Sequence, residues 1–499
     1  MSIRLFALVW LVSQTLTFAQ SQKDYADMIT PEELKENLSI LASDALEGRA
    51  TGTRGQKMAA AFIAHHFEEL GLKAPVNGSY YQHFDLHKIV LDEVTMSARG
   101  TTFRHFQDMV YYGKDDSGGP VTMPVVFVGK GRPEDYANLD VAKKGVLIVV
   151  GDDPQGYRGA ISTARSKNVA MAFIVNTKTN EEFTDYARQW KEFLGDSRLT
   201  LKKPDVSSNS TNSLFFVSPA VAEKIFNTTF QKLNDAANST AKNALKKIPA
   251  ANVTYKAVVK AQAVRSENVL GYLEGTDKKD ELLVITSHYD HIGKKSSGQG
   301  DLINNGADDD GSGTVAVMQL AKAFAQAKKD GNGPRRSILF MTVAGEENGL
   351  LGSEYYTQHP VFPLANTVVN LNIDMVGRRD EQHADSPPYV YVIGADKLSR
   401  ELHELSEATN QKYTNLVFDY TYNDESHPAR LYYRSDHWNF AQKNIPIIFY
   451  FDGIHEDYHL PSDEVDKIEF DLLTLRAKCV FHTAWEIANR EARIVPDAK

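Results

Sequence analysis

The second half of the chain repeats a pattern that leaves few possible folds: short, almost wholly apolar segments alternate with segments of helical period. The apolar segments are predicted strands at residues 282–287, 337–344, 368–374, 389–394 and 445–451. The helical segments are predicted at residues 314–327, 398–409 and 471–490. Strands with no polar face are buried on both sides, and helices that alternate with them cover those sides. The pattern therefore predicts an α/β fold with a mixed, mostly parallel sheet flanked by helices.

Residues 108–260 differ from the second half in having short strands separated by turns rich in Gly, Pro and Asp. Strands are predicted at residues 121–128, 145–150, 169–175 and 252–264, helices at 160–166 and 219–245, and a polar loop at 205–213. None of these predicted elements ends in a cluster of possible metal ligands. We interpret the segment as an inserted β-rich domain, so that residues 20–107 and 261–499 form the other domain.

The first 19 residues have the features of a secretory signal peptide. Arg4 supplies a positive charge, residues 5–18 are mostly apolar, and Thr17-Phe18-Ala19 fits the small-x-small pattern of a cleavage site. No later segment reaches the roughly 18 apolar residues of a membrane-spanning helix. We therefore expect an exported protein, periplasmic or extracellular, without a membrane anchor. The single cysteine, Cys479, excludes an intrachain disulfide.

The charge of the chain argues against a nucleic-acid partner. The sequence has 55 Lys and Arg against 65 Asp and Glu, which gives a formal net charge of −10, and it has no basic block. Proteins that bind phosphate backbones cluster Lys and Arg on one surface. We therefore expect no nucleic acid among the partners, and the sequence leaves the oligomeric state open.

Metal-competent side chains follow four of the predicted strands at their carboxyl ends, the edge at which open α/β sheets bind ligands. A fifth cluster lies in a Gly-rich turn immediately before the predicted helix at 314–327. The side chains at these five places are His288 and Asp290, Glu346 and Glu347, Asp374, His455 and His459, and Asp308, Asp309 and Asp310. One acidic strand end is common, but five such places around one sheet indicate a site.

The residue types indicate the metal. Histidine nitrogens and carboxylates without a thiolate suit zinc, manganese or cobalt. Two histidines and at least three carboxylates are more ligands than one tetrahedral ion uses. This number favours two ions bridged by a carboxylate. An Asp in the Gly-rich turn is well placed to be the bridge. Glu346 and Glu347 are adjacent in a turn, so one can bind metal while the other takes a proton from water. An Asp two residues after His288 can accept the second N–H of that histidine.

Five segments resemble the signature blocks of the cocatalytic-zinc aminopeptidases of clan MH, a family of bacterial secreted leucyl-type enzymes with a transferrin-receptor-like fold. The segments are His288-x-Asp290, Gly306-Ala307-Asp308-Asp309-Asp310, Gly345-Glu346-Glu347, Asn372-Ile373-Asp374 and Tyr458-His459-x-Pro461-Ser462-Asp463. Their order and approximate spacing match over about residues 268–487. The insertion resembles a protease-associated domain. The resemblance implies a zinc-exopeptidase fold and an aminopeptidase that acts on peptides with two zinc ions per chain.

The same resemblance implies a role for each site residue. Asp309 would bridge the two zinc ions, and each ion would take one further pair of ligands: His288 and Asp374 for the first, Glu347 and His459 for the second. Glu346 would be the catalytic general base. Asp290 would orient His288.

One overlapping pattern predicts a different enzyme. His455-Glu456-Asp457-Tyr458-His459 fits the His-Glu-x-x-His pattern of single-zinc metalloproteases, which requires a helix to bring both histidines to one face. Gly453 precedes the segment and Pro461 follows it, after a predicted strand, so we expect no helix here. The remaining histidines near these segments are predicted to line the pocket or to orient ligands: His291, His437 and His455.

Two other functions stay open from the sequence. Relatives with the same fold use one zinc ion for glutaminyl cyclisation or act as carboxypeptidases, and one zinc ion per chain would favour that reading. Others are non-catalytic, receptor-like binding proteins. The presence of Glu346 argues against a binding protein, because such a protein has no use for a general base.

Overall fold

The computed structural model describes residues 21–113, 115–150, 157–194, 197–203, 213–241, 243–295 and 298–497. The predicted signal peptide, residues 1–19, lies outside the described residues, as does the predicted loop at 205–213 except for Ser213. Within the described part, no helix is both long and apolar enough to cross a membrane.

Strands and helices alternate along most of the described chain. The strands are β1 Tyr81–Ala98, β2 Thr101–Arg104, β3 Met109–Tyr112, β4 Val121–Phe127, β5 Gly145–Val149, β6 Met171–Val175, β7 Ser197–Thr200, β8 Leu214–Val217, β9 Ala251–Leu273, β10 Lys278–His288, β11 Arg336–Val343, β12 Thr367–Ile373, β13 Tyr389–Ile393, β14 Val417–Asp419 and β15 Ile447–Phe451. The α-helices are α1 Gln22–Ala26, α2 Pro31–Leu41, α3 Arg54–Glu69, α4 Tyr157–Ser166, α5 Asn180–Leu194, α6 Pro219–Phe226, α7 Phe230–Asn238, α8 Gly313–Lys329, α9 Leu351–Gln358, α10 Ala395–Leu398, α11 Arg400–Tyr413, α12 His437–Ala441 and α13 Phe470–Asn489.

The chain divides into two compact units. The first unit comprises the residues up to Gln82 and those from Glu267 onward, and the second unit comprises His83–Ser266. The predicted insertion, residues 108–260, lies inside the second unit, which also includes β2 and most of β1. Its identity as a protease-associated domain stays a prediction.

In the first unit the strands lie in the order β14-β13-β15-β12-β10-β11, followed by the last residues of β9. β10 is parallel to β11 and to β12, β12 is parallel to β15, and β13 is parallel to β14. β13 is antiparallel to β15, and β9 is antiparallel to β11. The predicted mixed, mostly parallel sheet is confirmed.

Helices cover both faces of this sheet. On β11, Phe340 lies beside Phe324 of α8, with their ring centroids 6.2 Å apart. The neighbouring Leu339 belongs to an apolar cluster that includes Tyr356 of α9 and Phe440 of α12. Because successive side chains on a strand point to opposite faces, α8 lies on one face, and α9 and α12 lie on the other. Burial on both faces explains why these strands have no polar alternation.

The parallel strands bring their carboxyl ends to one edge of the sheet. His288, the last residue of β10, pairs in register with Val343, the last residue of β11. β12 ends at Ile373, which pairs with Tyr450 of β15, and Asp374 follows directly. The segments that carry the candidate ligands therefore start from neighbouring strand ends.

The second unit has its own set of paired strands and its own core. β4, β5, β6 and β8 are parallel neighbours, with β3 antiparallel to β8 and the first residues of β9 antiparallel to β4. One apolar cluster of this unit includes residues of α6 and α7, and another includes residues of α4 and α5. The two clusters take alternate residues of β5, so helices pack on both faces of this sheet as well.

The structure corrects one predicted element in the second unit. The sequence predicts one helix over residues 219–245, but two helices, α6 and α7, lie there. Asn227 ends α6 with a φ of 51°, a left-handed conformation that cannot continue an α-helix. Thr229 then begins α7, because its side chain accepts a hydrogen bond from the backbone N–H of Lys232.

Candidate metal centre

Two groups of metal-competent side chains lie at the carboxyl edge of the first unit's sheet and share one residue, Asp309. The first group is His288, Asp309 and Asp374, and the second is His291, Asp309 and Glu347. In each group, one candidate ligand atom per residue lies within 4.8 Å of the others. The structure therefore brings together ligands from β10, from the turn before α8, and from the loops after β11 and β12.

His459 joins the second group from the loop after β15. Its Nε2 lies 3.0 Å from Oδ2 of Asp309 and 3.2 Å from Oε2 of Glu347. All five residues that the sequence predicts as metal ligands are thus in mutual reach. The segment from His455 to His459 is not helical, and the two histidines face different carboxylates, so the single-zinc His-Glu-x-x-His geometry is absent from this segment.

The two carboxylate oxygens of Asp309 face different groups. Oδ1 lies 3.1 Å from Nε2 of His288, and Oδ2 lies on the side of His459. His288 in turn lies 3.5 Å from Oδ1 of Asp374. This geometry is the one that a carboxylate bridging two ions requires.

The spacing of the donor atoms and their lack of hydrogen bonds suit metal ions better than direct pairing between the side chains. Four of them are buried without a hydrogen-bond partner among the described residues: Nε2 of His288, Nε2 of His459, Oδ2 of Asp309 and Oε1 of Glu347. Buried polar atoms in native proteins are normally paired. Two atoms that each lie about 2.0 Å from a tetrahedral zinc ion are separated by about 3.3 Å, and the nitrogen-to-oxygen separations of 3.0–3.5 Å are close to that value.

The electrostatics of the site also require positive charge. Burial disfavours charge on Asp309, but contacts with His288 and His459 hold its pKa well below the usual range. Burial and Asp309 disfavour charge on Glu347, but contacts with His291 and His459 lower its pKa to about 2. Burial opposes protonation of His459, yet Asp309 and Glu347 raise its pKa to about 10. The carboxylates are therefore ionised and need cations, and bound metal ions would replace the histidine protons.

Asp290 orients His288, but through a different atom from the one predicted. Nδ1 of His288 lies 3.0 Å from the backbone carbonyl oxygen of Asp290, whereas the Asp290 carboxylate lies 3.8 Å away. That carboxylate accepts a hydrogen bond of 2.5 Å from the hydroxyl of Thr51 instead. Because a carbonyl oxygen only accepts, Nδ1 carries the hydrogen, and Nε2 stays free to bind a metal.

Ser435 holds Asp374 in the same way. Its hydroxyl donates a hydrogen bond of 2.5 Å to Oδ2 of Asp374, which leaves Oδ1 directed at His288. Sequence reasoning missed Ser435, because it follows none of the strands of the sheet and so lies outside the places where ligands were sought.

His291, which the sequence predicts to line the pocket or to orient ligands, contacts one of the candidate ligands. Its ring is fully buried, and Nδ1 lies 2.8 Å from Oε1 of Glu347. The same nitrogen lies 3.8 Å from Oδ2 of Asp309. Its position one residue after Asp290 was the signal, because the residues just after a strand end are the ones that approach the site.

Asp310 connects the strand ends beneath the site. Its carboxylate accepts hydrogen bonds from the backbone N–H groups of His288, Gly313 and Met375, at distances of 2.9–3.1 Å. One side chain thus ties β10, the start of α8 and the segment after β12. Asp310 therefore supports the site through backbone groups, and it belongs to neither of the two groups of possible ligands.

Asp463 holds the backbone of the bridging residue. Its carboxylate accepts hydrogen bonds from the backbone N–H groups of Asp308 and Asp309, at 3.1 Å each. Burial and the charge of Asp308 raise the pKa of Asp463 to about 6. On the other side, Oδ2 of Asp308 lies 3.2 Å from Nε2 of His455. The buried pair of Asp308 and His455 and the carboxylate of Asp463 therefore fix where Asp309 points.

Glu346 lies beside the candidate ligands. Among the described residues, it belongs to neither of the two groups of possible metal ligands. It lines one cavity together with His288, Asp309 and Asp374. Burial raises its pKa well above the ordinary range; the charges of Asp374 and Glu347 add to this effect, and His288 opposes it. A carboxylate with a raised pKa is a stronger base, which suits proton transfer.

We predict that Asp463→Ala weakens metal binding by about 10- to 100-fold, the usual effect of removing a group that orients ligands. The reason is that two backbone amides would lose their acceptor and the bridging carboxylate would lose its fixed direction. Competition with a chromogenic chelator would measure the affinity, and Asp466→Ala, an exposed residue three positions away, is the matched control. Equal affinity in the Asp463 variant and wild type would contradict the supporting role.

Comparison with known proteins finds similar peptidases. Residues 268–484 match the profile of peptidase family M28. Aminopeptidase YwaD of Bacillus subtilis (strain 168) is 24% identical over 464 residues, which cover 90% of this chain and 84% of YwaD. A probable zinc metalloprotease of Pyrenophora teres f. teres (strain 0-1) is 29% identical over 276 residues, 46% of this chain and 53% of the fungal protein.

Solved structures share the fold over nearly the whole chain. An aminopeptidase from Aneurinibacillus sp. strain AM-1 superposes with a TM-score of 0.61 at 18% identity, covering 96% of this chain and 98% of its own. The zinc aminopeptidase BSAP from Bacillus subtilis superposes with a TM-score of 0.55 at 21% identity, covering 94% and 99%. Over residues 268–484 the chain is therefore similar to peptidase family M28, and this match together with the named relatives supports a zinc-dependent aminopeptidase.

Proposed function

We propose that the chain is an exported aminopeptidase that removes N-terminal residues from peptides, with two zinc ions at the site and Glu346 as general base. The observation that carries the proposal is the geometry of Asp309, whose two oxygens face two separate groups of ligands. The names of the relatives support the activity, because YwaD is named an aminopeptidase and BSAP a zinc aminopeptidase.

The proposed ligands follow from the contacts. His288 and Asp374 would hold one ion, Glu347 and His459 the other, and Asp309 would bridge them. Zinc ions held there would supply Lewis acidity, which would lower the pKa of water toward about 7 and polarise a carbonyl group. His291 contacts Glu347 at 2.8 Å, and we assign it to keeping that carboxylate in place.

The residues of this chain perform the proton transfers. Glu346 accepts a proton from the attacking water and then donates it to the nitrogen of the leaving amine, so one carboxylate serves both halves of the hydrolysis. The cavity wall beside it includes Met375, Leu431, Phe449, Phe451 and Ile454. These apolar side chains exclude water and favour an apolar first residue in the substrate.

We predict different effects of two variants on metal content. Asp309→Ala should deplete both zinc ions, because the bridging carboxylate contributes to both, whereas His459→Ala should chiefly weaken one. Elemental analysis after dialysis measures zinc per chain. Two tightly held ions in the Asp309 variant would show that this residue does not bridge, and one ion in the wild type would favour a single-zinc enzyme of the same fold.

We predict that the two neighbouring glutamates separate chemistry from metal binding. Glu346→Gln keeps the size of the side chain but cannot accept a proton, so kcat should fall by about 10²- to 10⁴-fold while two zinc ions stay bound. Glu347→Gln should lose zinc along with activity. Turnover of leucine p-nitroanilide and elemental analysis, measured on the same samples, test both statements.

The outcomes of that comparison are distinct. Near-normal turnover in Glu346→Gln would show that Glu346 is not the general base. Loss of zinc in Glu346→Gln, with zinc retained in Glu347→Gln, would mean that the two roles must be exchanged. An inactive wild type with two bound zinc ions would favour a receptor-like binding protein.

We predict that export removes the first 19 residues. When the full sequence is expressed in a bacterium, mass spectrometry of the exported protein should find an N-terminus at Gln20. Val9→Asp places a charge in the apolar segment 5–18 and should block export, whereas Val9→Leu should not. An exported Val9→Asp protein, or one that keeps Met1, would contradict the signal-peptide proposal.

A further inference from the structure

One cation lies in the wall of the substrate cavity without an acidic partner. Arg434 lines the cavity that also contains His288, Glu346 and Asp374, and its side chain is exposed. The other cavity residues around it are mostly apolar or acidic. The guanidinium group of Arg434 is therefore available to a substrate.

Two contacts place Arg434 close to the metal ligands. The next residue, Ser435, donates its hydroxyl to the proposed ligand Asp374. Nη2 of Arg434 lies 3.5 Å from the hydroxyl oxygen of Tyr458, and Tyr458 directly precedes the proposed ligand His459. Arg434 thus lies between two segments that carry ligands, which holds it at the cavity.

Within the described part of the chain, Arg434 lacks the acidic partner that two other arginines of the first unit have. Arg378 pairs with Asp457 at 3.1 Å, and Arg476 pairs with Asp452 at 3.2 Å. Among the described residues, no carboxylate lies within ion-pair distance of Arg434. A guanidinium group recognises a carboxylate specifically, because it offers several fixed N–H donors to both oxygens.

We propose that Arg434 binds a carboxylate on the leaving-group side of the substrate. This inference rests on the proposed aminopeptidase function. The N-terminal ammonium group of a peptide is itself a cation, so it cannot be the partner of Arg434. The first carboxylate of a peptide beyond the cleaved bond is either the C-terminal carboxylate of a dipeptide or an acidic side chain of the second residue, and both lie within one residue of the reacting carbonyl.

The consequence is a substrate preference. The enzyme should cleave dipeptides, or peptides with an acidic second residue, faster than otherwise equal peptides that lack the carboxylate. A charged hydrogen-bonded pair contributes enough to change kcat/KM by about tenfold. The effect should appear mainly in KM, because the carboxylate does not change during the reaction.

Four substrates separate the two sources of the carboxylate. Leu-Ala is compared with Leu-Ala amide, and Leu-Glu amide is compared with Leu-Gln amide, with release of leucine as the measurement. In the wild type, a ratio of about ten in the first pair indicates the C-terminal carboxylate, and the same ratio in the second pair indicates the acidic side chain. In Arg434→Gln the ratio should fall to about one, and Arg434→Lys should keep part of it.

Arg188→Gln removes an exposed arginine of the second unit and is the matched control, which should keep the wild-type ratios. Ratios near one in both pairs for the wild type, or unchanged ratios in Arg434→Gln, would overturn the proposed role of Arg434. The proposed aminopeptidase function would not be affected by these outcomes. Failure of the zinc-loaded wild type to cleave any of the four peptides would overturn the proposed function, and this inference with it.

Discussion

The site depends on the carboxylate of Asp309 being buried with its two oxygens directed at two different groups of ligands. An ionised carboxylate in this position is costly unless each oxygen meets a positive partner. His288 lies on one side and His459 on the other. The same requirement explains why so many acidic residues meet at one edge of the sheet, since two divalent cations can balance them.

The direction of Asp309 is maintained by groups that touch no substrate. Asp463 accepts the backbone N–H of Asp309, and Asp310 accepts N–H groups from three segments of backbone. Ser435 and the backbone carbonyl of Asp290 orient Asp374 and His288. His288 and Asp374 therefore each have one atom held by the protein and another left for a metal, which is how a site is held ready before it is filled.

Sequence reasoning predicted candidate ligands where a regular element ended beside a polar residue. His288, Glu346, Glu347 and Asp374 lie at or shortly after the ends of buried strands, and Asp309 precedes a buried helix, so the strand rule named them as candidates. It failed for Ser435, which follows no strand of the sheet. In the second unit, helical period predicted one helix over residues 219–245, because period does not record the left-handed turn at Asn227.

The sequence by itself determined the type of sheet and predicted the edge at which the candidate ligands meet, because the pattern of apolar residues reflects which strands are buried and in what order they follow one another. The tertiary structure alone decided which atom of each residue faces the site. Residue spacing predicts that Asp290 follows His288, but not that its backbone oxygen rather than its carboxylate accepts the histidine hydrogen. It likewise does not show that Arg434 is left without an acidic partner. Such choices depend on contacts between segments far apart in the chain, and no local pattern records them.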